Sequence, residues 1–240
     1  MTILALDTSG TTASVALLNE HIVLAESGVT LADLRGADGR YSSRRKTHSE
    51  TLMPMVDELF NISGLSLKDV DRIACTCGPG SFTGLRIGAS AAKGLAFAAN
   101  KHLIAVPTLD ALAYTVASLM PETWVVPMLD ARREQVYSAI YHKNERVTDY
   151  LAAPVSDVVK IVEEKTKDDE VIFIGDGAEA YRSQLKFGRF APFCHNRLRA
   201  ACVGSVALNM PPADESEFTL LYVRKPQAER ERERRLNCSG

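Results

Sequence analysis

Three turns of this sequence carry residue types suited to phosphate or metal chemistry. Residues 7–10 (Asp-Thr-Ser-Gly), 130–134 (Asp-Ala-Arg-Arg-Glu) and 175–178 (Gly-Asp-Gly-Ala) each follow a short apolar run. Backbone amides at such turns and at helix starts can hold phosphate, and an aspartate can hold a water molecule or a hydrated Mg²⁺. The same residues could instead serve only to form turns, and the sequence leaves both interpretations open.

The loop Gly78–Gly84 leads its glycines into a predicted helix, an arrangement that can also cradle phosphate. The loop lacks the Gly-Lys-Ser/Thr ending of a P-loop and the spacing of a dinucleotide-binding motif. Its spacing alone is therefore weak evidence for a nucleotide site.

Candidates for acid–base or nucleophilic chemistry are few. His48 is followed by Ser49 and Glu50, but neighbouring helical residues point apart, so we expect His48 to cap or pack. The sequence has no His-Glu-x-x-His and no Gly-x-Ser-x-Gly motif. Cys75 and Cys77 lie on an apolar strand, which predicts two small core residues on one sheet face and not a metal or redox pair.

The elements that must position these residues form a repeated pattern of strands, helix, strand and helix. Strands are predicted at 2–6, 13–18, 22–25, 71–77, 104–106, 124–129, 135–141, 147–151 and 170–174, and helices at 48–61, 84–99, 109–119, 155–165 and from 175. The repetition predicts two related α/β lobes, residues 1–107 and 108–226. A Gly-rich basic loop at 27–46 and a charged tail at 227–240 have little to bury.

Two helices of the first lobe have surfaces that local folding does not require. The segment Thr47–Glu50 matches a capping box, and the helix that it starts has an apolar stripe wider than one packing face needs. Pro54 is predicted to kink this helix. The helix at 84–99 offers a surface almost without side chains, which lets another backbone approach closely. We expect part of these surfaces to contact another protein.

Composition indicates an ordinary globular protein. The chain has 240 residues, 46% of them apolar and 24% charged, with a formal net charge of -2. Such a charge gives no field that would draw in nucleic acid, so any RNA would have to be held mainly by something else. We find no signal peptide and no apolar run of about 18 residues, which makes the cytoplasm the expected location.

The segment Gly78–Gly88 (Gly-Pro-Gly-Ser-Phe-Thr-Gly-Leu-Arg-Ile-Gly) resembles the most recognisable segment of the TsaB (YeaZ) family. Further agreement lies at residues 6–9, 48–50, 106–109, 130–133, 136–137 and 222–224. The resemblance covers residues 1 to about 225. It implies an α/β, actin-like ATPase fold (ASKHA, ribonuclease H-like) with two lobes, each a mixed β-sheet flanked by helices.

The family resemblance implies a non-catalytic scaffold or activator subunit for tRNA modification. Its implied partner is TsaD, the catalytic paralogue, which acts with the ATP-dependent TsaE. The complex transfers threonylcarbamoyl to the adenosine next to the anticodon of tRNAs that read codons starting with A. The resemblance further implies a homodimer when the chain is alone, contact with tRNA only through TsaD and no membrane. It implies no cofactor of the chain's own, because ATP, ADP and metal would belong to the complex.

TsaD-like sequences carry a His-x-x-x-His metal pair where this chain has Thr108 and Leu112. Neither residue can replace imidazole at a metal site, so the comparison predicts no catalytic and no metal residue. The predicted partner interface comprises His48, Leu52, Met53, Val56, Phe60, Gly84, Leu85, Gly88, Ala91, Ala92 and Leu95. The candidate nucleotide-cleft residues are Asp7, Thr8, Ser9, Asp130, Arg132, Gly175 and Gly177.

Two other functions remain as alternatives at this point. An ATP-binding kinase or ATPase of the same fold would bind nucleotide as an isolated chain and lose turnover on Asp7→Ala. A glycoprotease-like metallopeptidase would purify with stoichiometric metal. The sequence offers neither an obvious catalytic base nor a metal pair for these activities.

Overall fold

The computed structural model describes residues 1–31, 46–167, 169–212 and 217–224. The tail predicted at 227–240 and most of the basic loop predicted at 27–46 lie outside these ranges. No helix within the described ranges is long and apolar enough to cross a membrane.

The first lobe is built on a five-stranded mixed sheet. Its strands are β1 (Ile3–Asp7), β2 (Thr12–Leu18), β3 (Val23–Thr30), β4 (Arg72–Gly78) and β5 (His102–Pro107). Their order is β3-β2-β1-β4-β5, with an antiparallel meander of β1 to β3 and with β4 and β5 parallel to β1. The predicted start of the basic loop at residue 27 is wrong, because β3 stays paired with β2 as far as Thr30.

The second lobe repeats this topology. Its strands are β6 (Trp124–Asp130), β7 (Gln135–Ser138), β8 (Tyr141–His142), β9 (Glu145–Arg146), β10 (Leu151–Pro154), β11 (Val171–Ile174) and β12 (Arg189–Phe190). The order β10-β7-β6-β11-β12 matches that of the first sheet, and β8 pairs with β6 and β9. The duplicated order confirms the predicted actin-like fold. The predicted strand at 135–141 is split in two, and the strand predicted at 147–151 instead begins at Leu151.

Six helices complete the described fold. They are α1 (His48–Ser63), α2 (Phe82–Ala99), α3 (Thr108–Ala117), α4 (Val155–Thr166), α5 (Asp176–Ala180) and α6 (Ala200–Ala207). The first five were expected from the sequence, and α6 was not. The predicted capping box is present at the start of α1, where the Glu50 carboxylate accepts hydrogen bonds from the Thr47 amide (2.7 Å) and hydroxyl (2.9 Å).

The elements stack in five layers. Helices α1 and α2 cover one face of the first sheet, and α3 and α6 lie between the two sheets in a core that joins both lobes. Helices α4 and α5 cover the far face of the second sheet. All strands of the first sheet end at or before Pro107 in the sequence, and all strands of the second sheet begin after it. Helix α6 comes late in the sequence but packs on β1 and β2 of the first sheet.

Candidate functional site

An open cleft of about 760 Å³ lies between the two lobes. Its first-lobe wall comes from the turn after β1 and from the loop that precedes α2, including Ser9 and Ser81. Its second-lobe wall comes from the turn after β6 and the start of α5, including Asp130 and Asp176. The cleft therefore lies where the three candidate turns meet.

The first acidic turn uses its polar groups within the fold. Asp7 is 1% exposed, and its Oδ1 accepts hydrogen bonds from the Ser9 amide (2.9 Å) and the Thr76 hydroxyl (2.8 Å). Thr8 is fully buried and donates its hydroxyl to the Gly84 carbonyl (2.8 Å). Burial raises the pKa of the Asp7 carboxyl, although the hydrogen bonds from Ser9 and Thr76 oppose the shift.

In the second acidic turn, too, the aspartate accepts hydrogen bonds from groups of the fold itself. Asp130 Oδ1 accepts from the Arg132 amide (2.8 Å) and from the Tyr181 hydroxyl (2.9 Å). The Asp130 amide donates to Asp176 Oδ1 (3.1 Å), and burial raises the pKa of the Asp176 carboxyl. The Arg132 side chain is 83% exposed and lies 3.6 Å from Asp130 Oδ2.

The glycine turn packs against its own sheet. A Cβ on Gly175 would lie 2.3 Å from the Met128 carbonyl oxygen, and one on Gly177 would lie 2.8 Å from the carbonyl carbon of Leu129. The Gly175 amide donates to Asn196 Oδ1 (3.3 Å). These glycines are required because α5 approaches β6 closely.

Together these contacts use most of the candidate nucleotide-cleft residues within the fold. Asp7 and Thr8 face the interior, and the turns of Gly175 and Gly177 are filled by backbone of β6. Of the candidate cleft residues, only Ser9, Asp130 and Arg132 line the space. Asp7, Thr8, Gly175 and Gly177 shape the turns behind the cleft wall, and nucleotide binding at these turns stays a prediction.

The predicted interface on α1 divides into two sets. Leu52 and Val56 are 1% and 2% exposed and belong to the core beneath the helix, so their assignment to an open surface is wrong. Met53 is 43% exposed, and Phe60 is partly buried at the edge of the same core. His48 lies at the start of the helix and lines the cleft, and its Nε2 is buried with no hydrogen-bond partner among the described residues.

The predicted interface on α2 divides likewise. Gly84, Leu85, Gly88 and Ala92 are buried against the first sheet. A Cβ on Gly84 would lie 2.0 Å from the Thr8 carbonyl oxygen, and one on Gly88 would lie 2.3 Å from Thr8 Oγ1. The close approach that these glycines permit is thus to the chain's own first turn, not to a partner.

Some predicted interface residues keep accessible surface. Ala91 and Leu95 are partly buried, and α1 and α2 lie in contact with each other as expected. Phe97 is not among the predicted interface residues, yet it is 77% exposed near the end of α2. A surface formed by Met53, Phe60, Ala91 and Leu95 stays a prediction.

No group of three or more metal-ligating side chains occurs among the residues that the structure describes. Thr108 and Leu112, at the positions of the histidine pair in TsaD-like sequences, are 0% and 1% exposed in the core between the lobes. Cys75 and Cys77 are both buried in the first-lobe core, as predicted, and burial raises the pKa of the Cys77 thiol to about 12. A thiol with that pKa is neither a good nucleophile nor a ready metal ligand.

Known proteins agree with this fold. A family model described as "TsaD: tRNA N6-adenosine threonylcarbamoyltransferase" matches residues 42–214. The tRNA threonylcarbamoyladenosine biosynthesis protein TsaB of Bacillus subtilis is 34% identical over 190 residues, which cover 78% of this chain and 76% of that protein. The chain belongs to the TsaB family. The TsaB protein of Haemophilus influenzae is 40% identical over 138 residues, 57% of this chain and 52% of that protein.

A solved structure is similar to nearly the whole chain. A crystal structure of an uncharacterized Pseudomonas aeruginosa protein with similarity to peptidase YEAZ superposes with a TM-score of 0.73. It is 27% identical and covers 93% of this chain and 99% of that protein. The TsaB family resemblance and the actin-like fold expected from the sequence are both confirmed.

Proposed function

We propose that this TsaB-family chain is a non-catalytic scaffold subunit that binds TsaD. In the proposed complex, TsaD and TsaE transfer threonylcarbamoyl to the adenosine next to the anticodon of tRNAs that read codons starting with A. The observation that carries the proposal is that neither residue is a histidine at the two positions where TsaD-like sequences place a metal pair. Thr108 and Leu112 are buried there, so the chain has no imidazole with which to hold that metal.

The contact surface that we propose for TsaD is the outer side of α1 and α2. Met53 supplies the most exposed side chain of the predicted set, and Phe60, Ala91 and Leu95 add partly buried apolar area around it. Helices α1 and α2 are held rigidly on the first sheet by their buried residues, which presents this surface without reorganisation. The isolated chain would cover the same surface by forming a homodimer.

Because Val56 is buried, a substitution there cannot test the proposed TsaD contact surface, and an exposed position is needed. An aspartate at Val56 would enter the core and unfold α1, so loss of binding there would say nothing about the surface. Met53→Asp places the same charge on an accessible position. Ile62→Asp is its matched control, because Ile62 is 72% exposed and lies nine residues, about two and a half turns, along α1 from Met53, and therefore on the opposite side of the helix.

The test measures the affinity of each variant for purified TsaD. We expect Met53→Asp to weaken binding at least about 10-fold and to shift the isolated chain toward monomer, since a charge in an apolar interface is left without a partner. Ile62→Asp should bind as the wild type does. Equal affinity for wild type and Met53→Asp, with both folded, would place the TsaD contact elsewhere.

The proposal assigns ATP, ADP and metal to the complex and no cofactor to this chain. It is supported by the internal hydrogen bonds of Asp7, which leave this carboxylate no exposed surface toward the cleft. Contact with tRNA would be made through TsaD, and the net charge of -2 supports that division of labour.

A further inference from the structure

The chain's last described segment crosses the cleft. We name residues 218–224 the strap. It begins in the first lobe, where Phe218 is 4% exposed in the core beneath α1 and α2. It ends against the turn after β6 in the second lobe, and Leu221 to Arg224 line the cleft between these two ends.

The first anchor of the strap is the end of β4. The Leu221 amide donates to the Cys77 carbonyl (2.7 Å). A Cβ on Gly78 would lie 2.5 Å from the Leu221 carbonyl oxygen, so only glycine admits the strap at this position. Gly78, the first residue of the glycine loop before α2, thus packs against the chain's own backbone.

The second anchor is the first turns of α2. The Tyr222 ring lies 5.3 Å from the Phe82 ring, and Arg86 Nε donates to the Tyr222 hydroxyl (3.3 Å). The Arg86 guanidinium also covers the Phe82 ring at 3.8 Å. Farther along the same side of α2, Lys93 Nζ lies 5.7 Å from the Phe218 ring.

The third anchor is in the second lobe. Arg224 Nη1 donates to the Ala131 carbonyl (3.3 Å). Ala131 precedes three consecutive residues, Arg132 to Glu134, with φ between 56° and 65°. Left-handed conformations are costly for these residue types, so the turn needs support from its surroundings.

We infer that the strap is a built-in latch that joins the two lobes and holds the cleft in its present width. Three segments that carry the family resemblance, residues 78–88, 130–133 and 222–224, meet in this one structure. A ligand bound between two lobes commonly holds them together. Here a segment of the chain makes the bridging contacts, with hydrogen bonds to a carbonyl of each lobe. This role is independent of TsaD binding and does not rest on it.

Hydrogen exchange on the isolated full-length protein tests the latch. The variant Tyr222→Ala/Arg224→Ala removes the ring contact with Phe82 and the bond to Ala131. We expect amide exchange to become at least about 10-fold faster in both residues 78–81 and residues 131–135, with no change in α4. The faster exchange must occur in both lobes, because a latch couples them.

Two control variants make the result decisive. Arg182→Ala removes another arginine–aromatic contact, 4.0 Å over Phe190, but wholly within the second lobe, so residues 78–81 should exchange as in the wild type. Tyr222→Phe keeps the ring and should show the wild-type exchange pattern. If the double variant is too unstable to measure, Arg224→Ala alone replaces it, and the same faster exchange in both cleft walls is expected. Faster exchange confined to the strap, with both cleft walls unchanged, would overturn the inference.

Discussion

Asp7 shows how a catalytic-looking residue can be a structural one. It stands after the first strand, where an aspartate could hold hydrated metal, yet its Oδ1 is used by Ser9 and Thr76 and its side chain has almost no exposure. The sequence correctly placed the turn. It could not show that Thr76, 69 residues away, would occupy the carboxylate.

We predict that Asp7→Asn is tolerated and raises the Tm at pH 7. The pKa of Asp7 is raised in the folded state, so the folded chain binds this proton more tightly than the unfolded chain does. Stability is therefore lost as pH rises above 3.8, the ordinary value, and an asparagine avoids that loss while its Oδ1 still accepts both hydrogen bonds.

Thermal melts of wild type and Asp7→Asn between pH 4 and pH 8 check this prediction. The difference in Tm should become smaller as the pH falls from 8 toward 4, because less stability is lost to the raised pKa of Asp7 at low pH. A lower Tm for Asp7→Asn at pH 7 would show that the fold requires the negative charge, for example opposite His48.

The burial of Leu52 and Val56, which were predicted to lie in the partner interface, has a cause in the packing of α1. The sequence gives α1 an apolar stripe wider than one packing face needs. In the structure α1 contacts β2, β3 and α2 at once, so Leu52, Met55 and Val56 all find partners inside the lobe. A single sequence gives the width of a stripe but not the number of elements that cover it.

At the scale of elements, the glycines of α2 serve the packing of this helix on the first turn. We predict that Gly84→Ala lowers the free energy of unfolding by at least about 2 kcal/mol, because its Cβ would enter the backbone of Thr8. Gly94→Ala in the same helix should instead stabilise by about 0.5–1 kcal/mol, since its Cβ meets no atom within 4 Å.

Urea unfolding of the two variants separates these effects. They share one chemical change in one helix and differ only in what the added methyl group meets. Similar effects for Gly84→Ala and Gly94→Ala would mean that helix propensity, and not the approach of α2 to Thr8, determines the role of these glycines.

Helix α6 shows which elements the sequence could not reveal. Its eight residues are mostly small and apolar, without an N-cap side chain that would mark the start. Glu26 of β3 satisfies that start, since its Oε1 accepts from the Ala201 amide (3.1 Å). The carboxylate that caps α6 lies 175 residues from the helix in the sequence, so a local pattern cannot predict it. The capping box of α1 spans only four residues and was predicted correctly.

At the scale of the whole molecule, Glu26 of the first lobe binds the start of α6, which lies late in the sequence. Its Oε2 accepts from both Nε and Nη2 of Arg199 as well, so one carboxylate holds the start of α6 from two sides. We predict that Glu26→Ala costs about 1–2 kcal/mol of unfolding free energy, through the lost cap and ion pair.

Chemical denaturation measures this cost, with Glu122→Ala as the control. Glu122 pairs with Lys143 at 3.4 Å, but both side chains are more than 60% exposed, so its loss should change stability by less than about 0.5 kcal/mol. If Glu26→Ala were as mild as Glu122→Ala, the return of α6 would be held by apolar packing alone.

The two-lobe architecture could be predicted because the same pattern of elements occurs twice in the sequence. Apolar strands, turn residues and helix starts recur in the same order in both halves, and the two sheets have the same strand order. The arrangement of the cleft could not be predicted, because it depends on contacts between distant segments, such as Leu221 with Cys77 and Arg224 with Ala131.

The most direct test of the central claim is a reconstitution with TsaD, TsaE, ATP and threonylcarbamoyl-adenylate that scores tRNA modification. The scaffold account predicts modification that requires this chain, fails with Met53→Asp and persists with Ile62→Asp and Asp7→Asn. Modification at the same rate without the chain, or with Met53→Asp in place of the wild type, would contradict the account.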